Sequence, residues 1–225
     1  MIPTFTLEQF LEMISRYNMT FWPLQLVAYG LGLVAVLLAI RTTQHSGRII
    51  SVILSMFWLW VGIVFNLAYF SPLYPMAIMF VVLFVIEAGI LIYVGVFKGI
   101  LSFKVKADVY GTVGALLVVY SMVGYPAIEY LLGRGYPNLL PFGLVPCPMT
   151  VFTLGILLWS NKRPNWYILA VPILYSLSGV IPIWKGIVED IGLVASGLAT
   201  ILMISYWVRV KKEGSIAVHL SLPSH

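Results

Sequence analysis

The sequence predicts an all-α integral membrane protein with seven transmembrane helices, its N-terminus outside and its C-terminus in the cytoplasm. Three features carry this. The 225 residues are 61% hydrophobic and 9% charged, with a mean hydropathy of +1.00, which excludes a soluble globular domain. Apolar runs close to the ~20 residues that cross ~30 Å of hydrocarbon recur along the chain. Basic residues also cluster at alternate breaks between runs: Arg41 and Arg48, then Lys98, Lys104 and Lys106, then Lys162 and Arg163, then Arg209, Lys211 and Lys212. Ten of the 13 basic residues thus share one side, leaving Arg16, Arg134 and Lys185 for the other. That asymmetry is the positive-inside pattern.

The elements follow in order. Residues 1–21 hold an amphipathic segment whose Thr6 and Gln9 have capping-box spacing, with Leu7, Phe10, Leu11 and Ile14 on one face; such a helix is expected to lie in the outer interface. The transmembrane domain is placed at 22–208, opened by Trp22-Pro23, where a proline at a helix start loses no hydrogen bond. Its spans are read at about 22–40, 49–70, 75–97, 109–132, 148–160, 165–184 and 187–208. Between spans four and five, residues 133–147 carry too many prolines and glycines for a helix, yet Leu139, Leu140, Phe142, Leu144 and Val145 are too apolar for a free loop. This external segment is expected to fold back into the outer half of the bundle, where irregular backbone is tolerated against protein. Residues 209–225 form a cytoplasmic tail, expected to be disordered from Lys211. Similar openings of spans one and five allow a 3+1+3 arrangement with span four as linker, as in SWEET-type transporters.

Composition also limits chemistry. The net charge of +5 is spread over cytoplasmic ends that face lipid headgroups, so the partner expected is the lipid bilayer and not nucleic acid. A single cysteine excludes an internal disulfide, and the acidic Glu8 and Glu12 argue against a cleaved signal peptide. No cofactor motif is present. A homodimer is compatible with so small a bundle.

Several polar residues need explaining. Glu87 lies in the middle of span three; a carboxylate there costs about 2.5–3.5 kcal/mol on insertion scales and faces the bundle interior. It is read either as a proton- or cation-exchanging group or as a brace between helices. Glu189 and Asp190 begin span seven, where negative charge suits the helix N-terminus; with Glu129 they would alternatively form an acidic mouth. Asn66 is interhelical glue or a ligand group. Cys147, between two prolines, is expected to be the N-cap of span five, where a helix terminus favours thiolate. With Met149 it is a two-ligand candidate for a soft metal, short of the usual number. Trp58 and Trp60 are placed deep enough to line a cavity.

Tyr17-Asn18, Phe21-Trp22-Pro23, Phe57-Trp58-Leu59-Trp60 through Gly62 to Asn66, Gly135-Tyr136-Pro137, Phe142-Gly143, Pro146-Cys147-Pro148 and Glu189-Asp190-Ile191-Gly192 together carry a resemblance. On these motifs, residues 5 to about 205 resemble a family of bacterial and archaeal multi-pass membrane proteins, a domain of unknown function often labelled as permeases. The resemblance implies location in a prokaryotic cytoplasmic membrane and no particular reaction. The matching residues on the outer half are Asn18, Trp22, Asn66, Glu129, Tyr136, Cys147, Glu189 and Asp190. The expected function is a small transporter for a small polar or cationic solute, with outer carboxylates and Cys147 at its entrance and Glu87 as a deep switch. The alternatives are a sensor or partner-binding protein without flux, and an intramembrane enzyme using Cys147.

Overall fold

Thr6 caps the first helix as its sequence predicts: its side chain accepts from Gln9 N–H, and Gln9 Oε1 accepts from Thr6 N–H. In the computed structural model, which describes residues 5–161 and 166–220 with side chains as far as residue 206, this helix, α1, runs Leu7–Ile40. The expected interfacial helix and first span are therefore continuous. They meet at a kink, where Phe21 leaves helical geometry (φ −113°, ψ 19°) two residues before Pro23. Proline lacks the N–H of the regular ladder and its ring crowds the preceding turn, so the bend falls there.

Six further helices follow: α2 (Ser46–Phe70), α3 (Ala77–Phe97), α4 (Val109–Leu131), α5 (Pro146–Leu158), α6 (Trp166–Trp184) and α7 (Asp190–Leu220). α1, α2, α3, α4 and α6 are long and apolar enough to cross a membrane, and the apolar parts of α5 and α7 are shorter. No strand occurs among the described residues; Phe103 and Ser160 form an isolated antiparallel bridge. α7 continues to Leu220, so the backbone is helical over most of the region expected to be a disordered tail. Residues 221–225, like the basic pair Lys162 and Arg163, lie outside the described residues.

The loop after α3 is tied to two other helix ends. Val105 N–H bonds Ala39 C=O, Lys104 N–H bonds Trp159 C=O, and Asn161 N–H bonds Ser102 C=O. These bonds gather Arg41, Lys98, Lys104 and Lys106 at one end of the bundle, called here the basic end. From Val61 onward, α2 widens into i→i+5 bonding. There Asn66 Nδ2 donates to Val61 C=O (2.9 Å), so the amide is anchored on its own helix rather than across to another.

α5 is the axis of the fold. All 13 of its residues are buried, with α2, α4, α6 and α7 packed around it. At 1.5 Å per residue it spans about 20 Å. Successive helices pack on one another in both triplets, but α5 also packs on α7, whereas α1 and α3 make no comparable contact. The 3+1+3 layout gains nothing from this packing. α4 and α5 cross at a pair of glycines, where a Cβ on Gly155 would sit 2.9 Å from Gly114 C=O and one on Gly114 2.8 Å from Gly155 C=O.

Gly155→Leu should force this crossing apart, at a cost of about 1–3 kcal/mol or more. Gly30→Ala, where a Cβ meets nothing within 4 Å, should be neutral or slightly stabilising. Thermal denaturation of the two purified variants in detergent compares them directly.

Candidate functional site

The site is assembled at the end of the bundle opposite the basic end, around the segment between α4 and α5. Residues 140–145 are fully buried although they form no helix. Buried backbone needs hydrogen-bond partners, and side chains supply them. Asn18 Nδ2 donates to Pro137 C=O and Leu139 C=O (2.6 Å each), Tyr17 Oη donates to Leu144 C=O (2.7 Å), and Leu140 N–H donates to both Glu129 oxygens (2.9 and 3.1 Å). Tyr17 in turn accepts from Trp60 Nε1 at 2.7 Å. Phe142 fills the space between helices, its ring 4.9 Å from Phe152 and 5.2 Å from Tyr29. Gly143 follows with φ +75°, and a Cβ there would lie 3.0 Å from Ala28 and 3.2 Å from Phe57. Only glycine adopts that backbone at so close an approach without strain.

Besides Glu129, two more buried carboxylates stand near this segment. Glu189 is paired with Arg134. Asp190, the first residue of α7, accepts from Tyr125 Oη (2.5 Å) on one oxygen and from Cys147 Sγ (3.4 Å) on the other. Cys147 Sγ is also 3.6 Å from Tyr175 Oη. The N-cap of α5 is Val145, not Cys147, and Cys147 is the second residue of the helix. Its sulfur therefore faces a carboxylate and a phenol, and among the described residues no histidine stands by it as a base.

Above Cys147 and Asp190 opens a cavity of about 310 Å³. Its wall is apolar and rich in aromatic rings: Phe5, Phe10, Phe65, Phe70, Tyr74, Phe80 and Tyr175. The polar groups on it are Asn66, Cys147, Tyr175, Ser178, Lys185 and Asp190. Lys185 is committed at the rim, where Nζ donates to Phe5 C=O (2.7 Å) and sits 4.3 Å over the Phe5 ring. The cavity lies at the lower edge of the ~300–1,000 Å³ usual for small-molecule sites, and such sites are mainly apolar with a few convergent polar groups.

The residues singled out from the sequence thus divide. Asn66, Cys147 and Asp190 line the cavity. Asn18, Glu129 and Glu189 are held in bonds to the buried segment and to Arg134. Trp22 and Tyr136 lie on the surface, beside a shallow hollow with Met19, Gln25 and Leu26. Glu87 is buried elsewhere, deeper in the bundle. Trp58 lines no cavity: it is 0% exposed, donates to Thr153 Oγ1 (3.2 Å) and meets Phe84 edge-on. Met149 does not join Cys147 as a metal ligand, because residues two apart on a helix diverge by about 200°, and Met149 Sδ accepts instead from Thr153 Oγ1. Among the described residues no group of three His, Cys, Asp or Glu could hold a metal. The aromatic wall and Tyr125 were missed in the sequence, because phenylalanines near span ends read as ordinary interface residues.

Fold and site together define a helical bundle, apolar enough to span a membrane in five places, with a ligand-sized cavity at one end. The chain belongs to a family of unknown function, DUF6064, whose model matches residues 7–214. No curated protein and no solved structure matches it.

Asn18→Ala should remove two buried hydrogen bonds and leave two carbonyls open, costing about 2–4 kcal/mol. Arg134→Ala should strand Glu189 as an unpaired buried acid, at about 3–5 kcal/mol. Denaturation midpoints of the variants, beside limited proteolysis at residues 133–139, measure both effects.

Proposed function

We propose that the chain is a seven-span membrane transporter with the basic end in the cytoplasm and the cavity open to the outside. The clustering of Arg41, Lys98, Lys104 and Lys106 at one end supports this orientation, since basic loops remain cytoplasmic. α5 crosses in spite of its 13 residues because the buried segment before it completes the passage. The solute is a small molecule with an apolar body and a cationic or N–H-donating head. One observation carries this reading: the aromatic cavity ends on Asp190. A carboxylate offers about four acceptor positions, and Tyr125 and Cys147 take two. A bound ammonium group would take another while the surrounding ring faces favour its charge.

A second reading is favoured by a different observation. Beneath the cavity, Tyr175 meets Phe84 at 4.9 Å and Phe84 meets Trp58 at 4.8 Å, closing the way inward. A protein that binds its ligand without moving it would need no opening there.

Thermal stability of the purified protein against small amines, amino acids, sugars and metal ions tests the site. Amines with an apolar body should stabilise the protein, by about 2.7 kcal/mol at 100 times the dissociation constant. Asp190→Asn should weaken binding about tenfold or more. Stabilisation by sugars alone, or amine binding unchanged in Asp190→Asn, would defeat the assignment. Flux in liposomes then separates carrier from binder.

A further inference from the structure

α4 meets the start of α7 through acids. Tyr125 on α4 donates to Asp190 at 2.5 Å. Glu129 lies one turn further along α4, and its carboxyl is within hydrogen-bonding reach of that of Glu189, the neighbour of Asp190. Tyr120 Oη fixes the same corner by donating to Glu189 C=O at 2.6 Å. Both glutamates are buried, Glu129 at 0% and Glu189 at 1% exposed. Two carboxylates brought together away from water do not both stay ionised.

The bonds around this pair fall short by one hydrogen. Both oxygens of Glu129 accept from Leu140 N–H. Glu189 Oε2 is paired with Arg134, while Glu189 Oε1 is buried with no partner. Ionised carboxylates only accept, so no bond joins the two acids without a proton. Arg134 does not serve Glu129 instead, since its Nη1 is buried and likewise without a partner. The other groups facing the pair are Tyr29 on α1 and Asp190, with Cys147 on α5 and Tyr175 on α6 behind Asp190. None of them carries positive charge. Lys185, the cation on the cavity wall, is held at Phe5 C=O. Three acids therefore share one arginine, and among the described residues no group of three His, Cys, Asp or Glu could hold a metal in its place.

We propose that Glu129 and Glu189 share one exchangeable proton, which latches α4 to the start of α7. With the proton in place, the pair is joined by a hydrogen bond, the open Glu189 oxygen is satisfied, and Glu129 still accepts from Leu140 N–H. Loss of the proton leaves two carboxylates in contact. One is tied to residues 137–145 through Leu140, the other to Arg134 and the start of α7, so their repulsion pulls this corner apart. Asp190, the carboxylate at the cavity, stands at the same corner. The proton site stands on these residues alone, while its role as the coupling ion of transport rests on the reading above.

Infrared difference spectra of the full chain in detergent, wild type against Glu129→Gln at neutral pH, test the site. Wild type should carry one carboxylic-acid C=O stretch that the variant lacks. This holds whichever glutamate has the proton, because Glu189 beside Arg134 ionises once its neighbour is an amide. Loss of a carboxylate band instead would mean that both acids were ionised, and overturns the proposal. Glutamine also stands in for the protonated acid, since it donates to Glu189 and accepts from Leu140 N–H. Glu129→Gln should therefore melt at or above the wild-type Tm at neutral pH. It should also flatten the wild-type fall in Tm with rising pH, which arises because the folded chain holds a proton that the unfolded chain has given up. A variant that fails to fold, or that keeps the wild-type pH profile, overturns the latch. An acid band with solute flux indifferent to a pH gradient would leave the proton site standing and defeat its coupling role. A lost carboxylate band with amine flux intact would remove the site and leave the transport reading.

Discussion

The structure depends on how residues 137–145 satisfy their backbone. This irregular run is carried into the bundle by Leu140, Phe142, Leu144 and Val145, each at most 5% exposed. Irregular backbone in such a place survives only where protein groups replace water as hydrogen-bond partners. Asn18, Tyr17 and Glu129 are those groups, and they come from α1 and α4, more than a hundred residues and about ten residues away in sequence respectively. Three of the most conspicuous polar residues in the apolar spans are therefore committed to holding one segment in place.

Everything at the cavity end follows from that commitment. With the segment fixed, α5 begins inside the bundle instead of at its surface, and its first turn brings Cys147 against Asp190 and Tyr175. Its next turn buries Thr150 where its hydroxyl finds no hydrogen-bond partner. A longer α5 starting at the surface would put a regular helix where the cavity now lies. The aromatic rings of α1, α2 and α3 would then pack against that helix rather than around open space. The short helix and the ligand-sized cavity are two consequences of one constraint.

Much of the architecture was legible in the sequence because it rests on local signals. The Thr6–Gln9 box, the apolar run lengths and the proline-glycine content of residues 133–147 each reflect interactions within a few residues. So does the expectation that the latter segment folds inward, since its leucines and phenylalanine have no other place to go. The kink at Phe21 escaped, because Trp22-Pro23 reads equally as a helix start and as a mid-helix break. The site was legible in part. Asn66, Cys147 and Asp190 do face one cavity, but Asn18, Glu129 and Glu189 looked like ligand groups for the same reason, being polar residues in apolar surroundings. Their bonds to the buried segment and to Arg134 separate them from the ligand-facing residues, and no spacing rule encodes a pairing such as that of Asn18 with carbonyls 119 and 121 residues away.

The central claim is that the cavity opens on the face away from the basic loops and ends at Cys147. That residue is the one cysteine of the chain, so its modification can be read without background. A small cationic methanethiosulfonate, applied to sealed membranes from one side at a time, measures this directly. The account predicts reaction from the face opposite the basic loops, slowed by an amine that stabilises the protein. Reaction only from the face that carries the basic loops would contradict it.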